Sequence, residues 1–163
     1  MNPRLFAVPT IALAFTPVAV AAQTAQTTMN VSATVVEACV VTATNLVFGL
    51  YDPTTSTPVD AVSAITVTCT PGTVFSVGLN AGTTPGATIT NRQMASGSER
   101  LGYGLFQDAA RSVNWGNTPG TDTPAPGTAV LTPTVLTVYG RVPAQQAVAV
   151  GDYTDTVTIT VSY

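Results

Sequence analysis

The end of the chain carries its clearest hydrophobic pattern. From Thr156 to Tyr163, polar residues alternate with the apolar side chains of Val157, Ile159, Val161 and Tyr163. Because successive side chains of a strand point to opposite faces, this period of two predicts a strand with one apolar face. The sequence stops within this strand, so we expect another copy of the protein to cover its neighbouring edge.

A second alternating segment lies near the start of the chain. In residues 23–36, Met29, Val31, Ala33 and Val35 alternate with polar residues, which predicts another strand. Its first residues are rich in Ala, Gln and Thr, a composition that suits a mobile arm ahead of the globular part. The alternative is that this strand folds back onto its own domain.

Between these two segments the pattern predicts only short strands. They fall at residues 39–42, 45–48, 61–69, 73–79, 87–91, 101–107 and 134–142, separated by Gly- or Pro-rich turns. Residues 115–128 form the longest irregular region, and no segment shows a helical period of 3.6. Many short strands predict an all-β sandwich of two sheets in Greek-key order, built as a single domain over residues 37–163.

Residues 1–22 match the pattern of a secretory signal peptide. Arg4 supplies a positive start, residues 5–15 are largely apolar, and residues 20–22 are small, as at a cleavage site. A membrane anchor is the alternative, but the apolar run is short and contains Pro9. We therefore expect cleavage near Ala22 and a soluble, exported product that is not inserted in a membrane.

Composition excludes several classes of function. The 163 residues include five Arg and no Lys, the net charge is −3, and only 8% of residues are charged. Nucleic-acid binding requires clustered basic residues, which are lacking. There is also no His, so the usual Ser/His/Asp and Cys/His catalytic systems cannot form. We expect a protein that is not an enzyme and uses no cofactor or metal.

Cys39 and Cys69 are the two cysteines of the chain. In an exported protein a disulfide is the default for such a pair, and closing a loop of this length would stabilise the fold by roughly 3–4 kcal/mol. A zinc site is the alternative, but two thiols without His are too few ligands.

Three other features each have two interpretations. Asp152 and Asp155 could act as a carboxylate pair or bind calcium, but their spacing is more typical of a solvated turn and a strand cap. The segment Gly102-Tyr103-Gly104 is only a fragment of a dinucleotide-binding motif, without its third Gly. Trp115 could stack on a sugar or could fill the core, and we favour the core.

An ordered set of short motifs resembles the spore coat protein U family, which includes the major subunits of archaic (Csu-type) chaperone–usher pili. In chain order the motifs are Cys39, Ile65-Thr-Val-Thr-Cys69, Tyr103-Gly-Leu-Phe-Gln-Asp-Ala-Ala-Arg111 followed by Trp115, and Gly151-Asp-Tyr-Thr-Asp-Thr156 before the terminal strand. The resemblance covers about residues 23–163. Cys39 and Cys69 match the positions of the family's disulfide.

The resemblance implies an incomplete immunoglobulin-like sandwich that lacks its last strand and is completed by donor-strand exchange. Residues 23–36 would be the donor, with Met29, Val31, Ala33 and Val35 filling a groove in the next subunit. Val157, Ile159, Val161 and Tyr163 would border the receiving groove of their own subunit, between its first and last strands.

The resemblance also implies partners and a location. The partners would be identical or related pilin subunits, a periplasmic chaperone and an outer-membrane usher, and the product would be a cell-surface pilus that supports adhesion and biofilm formation. Two alternatives remain: a spore or cyst coat protein of the same family that does not polymerise, and a sugar-binding adhesin in which Trp115 and Tyr103 form a stacking platform.

Overall fold

A computed structural model describes residues 21–163. The chain divides into two units, one ending at Thr34 and the other spanning Val35–Tyr163. The predicted signal peptide lies outside the described residues, apart from Ala21 and Ala22. In the first unit, the described residues 21–34 contain no helix or strand, and their side chains are exposed.

The second unit consists of β-strands joined by turns and loops. Its strands are β1 (Cys39–Ala43), β2 (Val59–Cys69), β3 (Val74–Leu79), β4 (Arg92–Ser96), β5 (Glu99–Phe106), β6 (Gly127–Thr128), β7 (Thr134–Val142) and β8 (Ile159–Ser162). Within residues 21–163, the structure contains no helix long and apolar enough to cross a bilayer.

The strands form two antiparallel sheets. One sheet has the order β1-β2-β7-β5-β4, and the other has the order β6-β3-β8. Strands that are distant in sequence are neighbours, since β7 lies between β2 and β5 and the terminal β8 pairs with β3. This is the crossed connectivity of a Greek-key sandwich. The predicted all-β, immunoglobulin-like fold is confirmed.

The core lies between the sheets and is made by apolar residues that alternate along the predicted strands. Ile65 and Val67 of β2 face Val77 and Leu79 of β3, all at 2% exposure or less. Trp115 is equally buried and donates a hydrogen bond from Nε1 to the Val77 carbonyl, over 2.8 Å. The interpretation of Trp115 as a core residue is therefore confirmed.

Arg92, the first residue of β4, is also completely buried, at 0% exposure. Its guanidinium donates to four backbone carbonyls, those of Leu79, Asn80, Ile89 and Trp115, at 2.7–2.9 Å. Burial lowers the pKa of Arg92 from its ordinary value. Its hydrogen bonds tie the end of β3 to two loops, which explains how a charge is accommodated in the core.

Some predicted strands differ from the observed ones. Residues 29–35, 45–48 and 87–91 form no strand, and the terminal strand begins at Ile159 rather than Thr156. A strand requires a neighbouring backbone to pair with as well as alternating side chains. Within the described chain, no neighbouring strand pairs continuously with these segments. Conversely, the sequence did not predict β4, because Met94 is its only large apolar residue and its side chains show no apolar alternation. The strand forms because its backbone pairs with β5.

The predicted disulfide is present. Cys39 and Cys69 stand directly opposite each other in the β1–β2 ladder and are covalently joined. The bond links the first residue of β1 to the last residue of β2, so the start of the sandwich is fixed to one of its central strands.

Candidate functional site

A large open groove lies along one side of the sandwich, with a volume of about 1070 Å³. Two stretches of chain, residues 43–51 and 148–159, line it, and it reaches down to core residues of both sheets. The buried hydrophobic residues that line it are Ile65, Leu79, Leu101, Tyr103, Leu105, Val138 and Val142. The hydrophobic core is thus open along this side instead of being closed by a strand.

The first wall of the groove is the stretch that follows β1. Leu46 and Phe48 are half-buried, whereas Val47 and Leu50 are exposed, so side chains alternate as they do in a strand. Gly140 of β7 makes room for this packing, because a Cβ there would lie 2.9 Å from both Leu46 and Phe48. The wall is therefore extended and seated on the core without being a strand.

Within the described residues, the hydrogen bonds that hold this wall lie at its two ends. At one end, the Thr44 N–H donates to the Ala64 carbonyl; at the other, the Tyr51 hydroxyl donates to the Pro143 carbonyl and accepts from the Gln146 N–H, at 2.8–3.0 Å. Between these anchors, the backbone of residues 45–50 makes no hydrogen bond to any other described residue. A row of N–H and C=O groups is left available for a partner.

The second wall is the chain leading into β8. Thr154 bridges to Ala95 of β4, after which the chain crosses to the other sheet, where β8 pairs with β3. In the part of the chain that the structure describes, β3 is the only strand paired with β8, so the far edge of β8 is open. The first wall therefore has a row of unused backbone groups, and the second wall leads into a strand with one open edge.

The structure places the predicted border residues differently along this wall. Val157 and Ile159 line the groove. Val161 packs against the core beyond it, and Tyr163 is 59% exposed. Alternation predicted which face is apolar, but not how far along β8 the groove extends.

The rim of the groove is apolar as well. Val47, Leu50 and Val150 line it yet are exposed to solvent, Leu50 at 98%. Clustered apolar side chains on a surface usually mark a contact with another molecule. The rim was not identified from the sequence, although the alternation of residues 45–48 already placed Val47 opposite Leu46 and Phe48.

Asp155 fixes the bend that precedes β8. Its carboxylate accepts hydrogen bonds from the Tyr103 hydroxyl at 2.7 Å, from the N–H of Thr83 at 2.9 Å and from the N–H of Thr156 at 2.8 Å. Gly82 must lack a side chain here, because a Cβ would overlap this carboxylate, and its φ of +91° also favours glycine. Asp155 is thus a partly buried organiser of the second wall rather than a solvated turn residue.

The pKa values of Asp155 and Tyr103 are shifted by burial and by hydrogen bonding. Burial alone would raise the pKa of Asp155, but the hydrogen bonds from Tyr103, Thr83 and Thr156 outweigh it and lower the pKa below its usual value. Burial, together with the adjacent carboxylate, raises the pKa of Tyr103. The pair therefore exists as a carboxylate and a neutral phenol at neutral pH.

We predict that Asp155→Asn destabilises the full chain at pH 7 by about 1 kcal/mol, since it weakens charge-assisted hydrogen bonds in a partly solvated site. A carboxyl group whose pKa is lowered in the fold stabilises it above the unfolded value of 3.8, and this contribution is lost as the pH falls through the folded pKa. The difference from wild type should hence shrink below pH 3.8. Denaturant unfolding at pH 7 and at acidic pH measures both effects.

The control for this prediction is Asp152→Asn, which changes an exposed carboxylate on the same segment. It is expected to leave stability unchanged at both pH values. An equal loss in the two variants would show that the Asp155 hydrogen bonds do not organise the wall.

The predicted donor residues belong to exposed chain. Met29 and Val31 are 83% and 85% exposed, Val35 is 82% exposed, and Ala33 is exposed too. Side chains of this kind are normally buried in a folded protein. Residues 21–38 therefore carry several apolar side chains that are exposed.

The structure is less favourable to a sugar platform. Trp115 and Tyr103 are 1% and 7% exposed, so neither ring offers a free face for stacking. That proposed use of the two residues is wrong, because Trp115 fills the core and Tyr103 is a core residue that lines the groove.

The sequence of this chain is similar to those of known proteins. Residues 25–160 match the sequence profile of the Spore Coat Protein U domain. The chain is 34% identical over 166 residues to Protein U of Myxococcus xanthus, covering 93% of this chain and 90% of that protein.

A solved structure is similar as well. It is a chain of the CsuC–CsuE chaperone–tip adhesion subunit pre-assembly complex from the archaic chaperone–usher Csu pili of Acinetobacter baumannii, with a TM-score of 0.56 and 26% identity over 80% of the present chain. The present chain spans 41% of the length of that one. On the extent of the profile match and the identity to Protein U, this chain belongs to the Spore Coat Protein U domain family.

Proposed function

We propose that this protein is a structural subunit of an archaic chaperone–usher surface pilus that polymerises by donor-strand complementation. Residues 23–36 of one copy fill the groove of the next, and the resulting fibre supports adhesion and biofilm formation. The observation that carries the proposal is the groove itself, an opening to the core. One of its walls, residues 45–50, has backbone groups that are unused within residues 21–163, and its other wall leads into β8, an edge strand among the described strands.

The groove has the properties that an added strand requires. A strand inserted between two edges hydrogen-bonds to both while its alternate side chains point into the core. The donor segment supplies such side chains in Met29, Val31, Ala33 and Val35, all of them exposed. One exposed apolar face and one open apolar groove thus occur in the same chain, which favours a second copy as the occupant.

The expected energetics explain why the link would last. Full burial of Met29, Val31 or Val35 contributes about 1.5–3 kcal/mol each, and each ladder hydrogen bond adds roughly 0.5–1.5 kcal/mol. Ordering the arm costs about 1–2 kcal/mol per residue, so the local gain is modest. Durability would come from the receiving domain, because releasing the strand exposes the apolar core that lines its groove to water.

The geometry of this contact favours a filament. The arm of one copy meets a different surface, the groove, on the next copy, so the contact is heterologous. Repeated heterologous contacts that do not close build an open fibre.

Export and assembly partners complete the proposal. Residues 1–22 would direct the chain across the inner membrane, a periplasmic chaperone would cover the groove in transit, and an outer-membrane usher would exchange it for the next donor strand. The similar solved structure supports a chaperone, since it is a chaperone–subunit pre-assembly complex. The exposed rim of Val47, Leu50 and Val150 gives such a partner an apolar surface beyond the groove.

A coat protein that does not polymerise is the second candidate. It is favoured by the identity to Protein U over nearly the whole of both chains and by the name of the domain. In that case, some other part of the coat would cover the groove.

The pilus and coat proposals can be distinguished by examining material sheared from the surface of cells that produce the protein. We expect thin fibres under negative-stain electron microscopy and, on gels, SDS-resistant ladders that collapse to monomer after boiling. Unassembled monomer in a layer without fibres would contradict the pilus proposal and support a coat role.

A further inference from the structure

The disulfide stands at the root of the proposed donor arm. Cys39 begins β1 shortly after Val36, and its partner Cys69 ends β2. Thr70 adds two bonds at the same place, from its N–H to the Ala38 carbonyl at 2.9 Å and from its Oγ1 to the Val36 carbonyl at 3.0 Å. The arm therefore enters the sandwich at a point fastened to the end of β2.

Without this fastening, β1 would be easy to pull away. It is an edge strand, paired with β2 alone among the described strands, through the five positions Cys39 to Ala43. Tension on the arm would load the first of these pairs before the others, so the ladder could open one pair at a time. After Ala43 the opening would reach residues 45–50, the groove wall whose backbone has no other hydrogen bonds in the described chain.

We propose that the Cys39–Cys69 disulfide is a mechanical clamp that keeps tension on the arm away from the groove wall. The inference rests on the proposed function, in which the arm and the groove are the two ends of every subunit link. The disulfide passes the load from Cys39 directly to Cys69, bypassing residues 40–51.

Beyond the disulfide the load enters well-supported structure. β2 pairs with both β1 and β7, over nine positions in the case of β7. From Cys69 the chain turns at Pro71-Gly72 into β3, which pairs with β8, the strand of the second groove wall. A subunit under tension thus transmits force through two paired strands, while the first wall keeps its contacts with the donor strand bound in the groove.

The clamp can be tested on a single subunit link. The mature full chain is loaded with a synthetic peptide of residues 23–36, and constant tension is applied between the chain's own N-terminus and the peptide. The double variant Cys39→Ser/Cys69→Ser is expected to shorten the lifetime of the link at least about tenfold, since rupture under force follows the opening rate. Reducing the assembled wild-type link with dithiothreitol should have the same effect and avoids any folding defect of the variant.

A second pulling geometry separates the clamp from general stabilisation. When the handle is attached at Thr132, in the exposed loop before β7, the load does not pass through β1. There, disulfide removal should leave the lifetime nearly unchanged. Equal shortening in both geometries, or none when the arm is pulled, would overturn the clamp. Failure of the peptide to bind at all would instead overturn the proposed function.

Discussion

A mature chain that begins at Glu37, and so lacks the donor segment, is expected to be exported but to build no fibre. We expect it to keep the sandwich, disulfide and groove, because all the strands of both sheets lie within residues 39–162. If the proposed function holds, this chain accepts a donor strand but cannot supply one, so chain growth ends with it. The measurement is the yield of SDS-resistant ladders and of fibres in sheared surface material, which should fall to background.

Mixing this truncated chain with wild type gives an internal control. Because the truncated chain still accepts a donor, it should shorten wild-type fibres in proportion to its share. Fibres of normal length made by the truncated chain alone would disprove the assignment of residues 23–36 as the donor.

A single charged substitution in the donor segment tests its contact with the groove at one residue. Val31→Asp is expected to weaken donor binding by about 4 kcal/mol, since it removes a buried side chain and places a carboxylate in an apolar groove. This corresponds to roughly a thousandfold loss of affinity. Binding of the 23–36 peptide to the truncated chain measures it.

The matched control is Ser32→Asp, which adds the same charge one residue later. In a strand the neighbouring side chain points to the opposite face, away from the groove. Ser32→Asp should therefore bind almost as the unmodified peptide does. Equal weakening by both substitutions would mean that the arm does not bind as a strand with Val31 inward.

The second large effect is expected at Arg92. Arg92→Met should lower the free energy of unfolding by at least about 3 kcal/mol, since it leaves four buried or partly buried carbonyls without their charged donor. The loss should also loosen the end of β3, because two of the acceptors are Leu79 and Asn80. Denaturant unfolding of the full chain measures the change.

Arg100→Met is the control, on the same β4–β5 hairpin. Arg100 donates only to the carbonyls of Gly97 and Glu99 at the exposed hairpin turn. Its replacement should change stability by less than about 0.5 kcal/mol. If both variants lose the same stability, the carbonyl contacts of Arg92 are not the cause.

Neither Arg92 nor Asp155 could be recognised as a structural centre from the sequence. Arg92 has Asn and Gln as its neighbours, a setting typical of an exposed loop. Its four acceptors come from three separate segments. Asp155 likewise draws on Thr83 and Tyr103, far away in sequence. Hydrogen bonds between distant segments leave no local pattern.

The first groove wall shows how a correct pattern gave an incomplete prediction. Alternation over residues 45–48 predicted a strand, and Leu46 and Phe48 do face the core. The backbone, however, has no partner in the described chain, so the segment is an extended edge. Side-chain periodicity reports which face is buried, whereas a strand also depends on what lies beside it.

The sequence alone determined the fold class, the inward faces of β2, β3, β5 and β7, and the cysteine pair. These depend on the period of side chains along one segment or on the chemistry of two residues, which are local properties. Only the tertiary structure decided that the core stays open between residues 43–51 and 148–159, and that the disulfide lies where the arm meets the sandwich. Both follow from which strands become neighbours, and strand order is set by the packing of the whole chain rather than by any one segment.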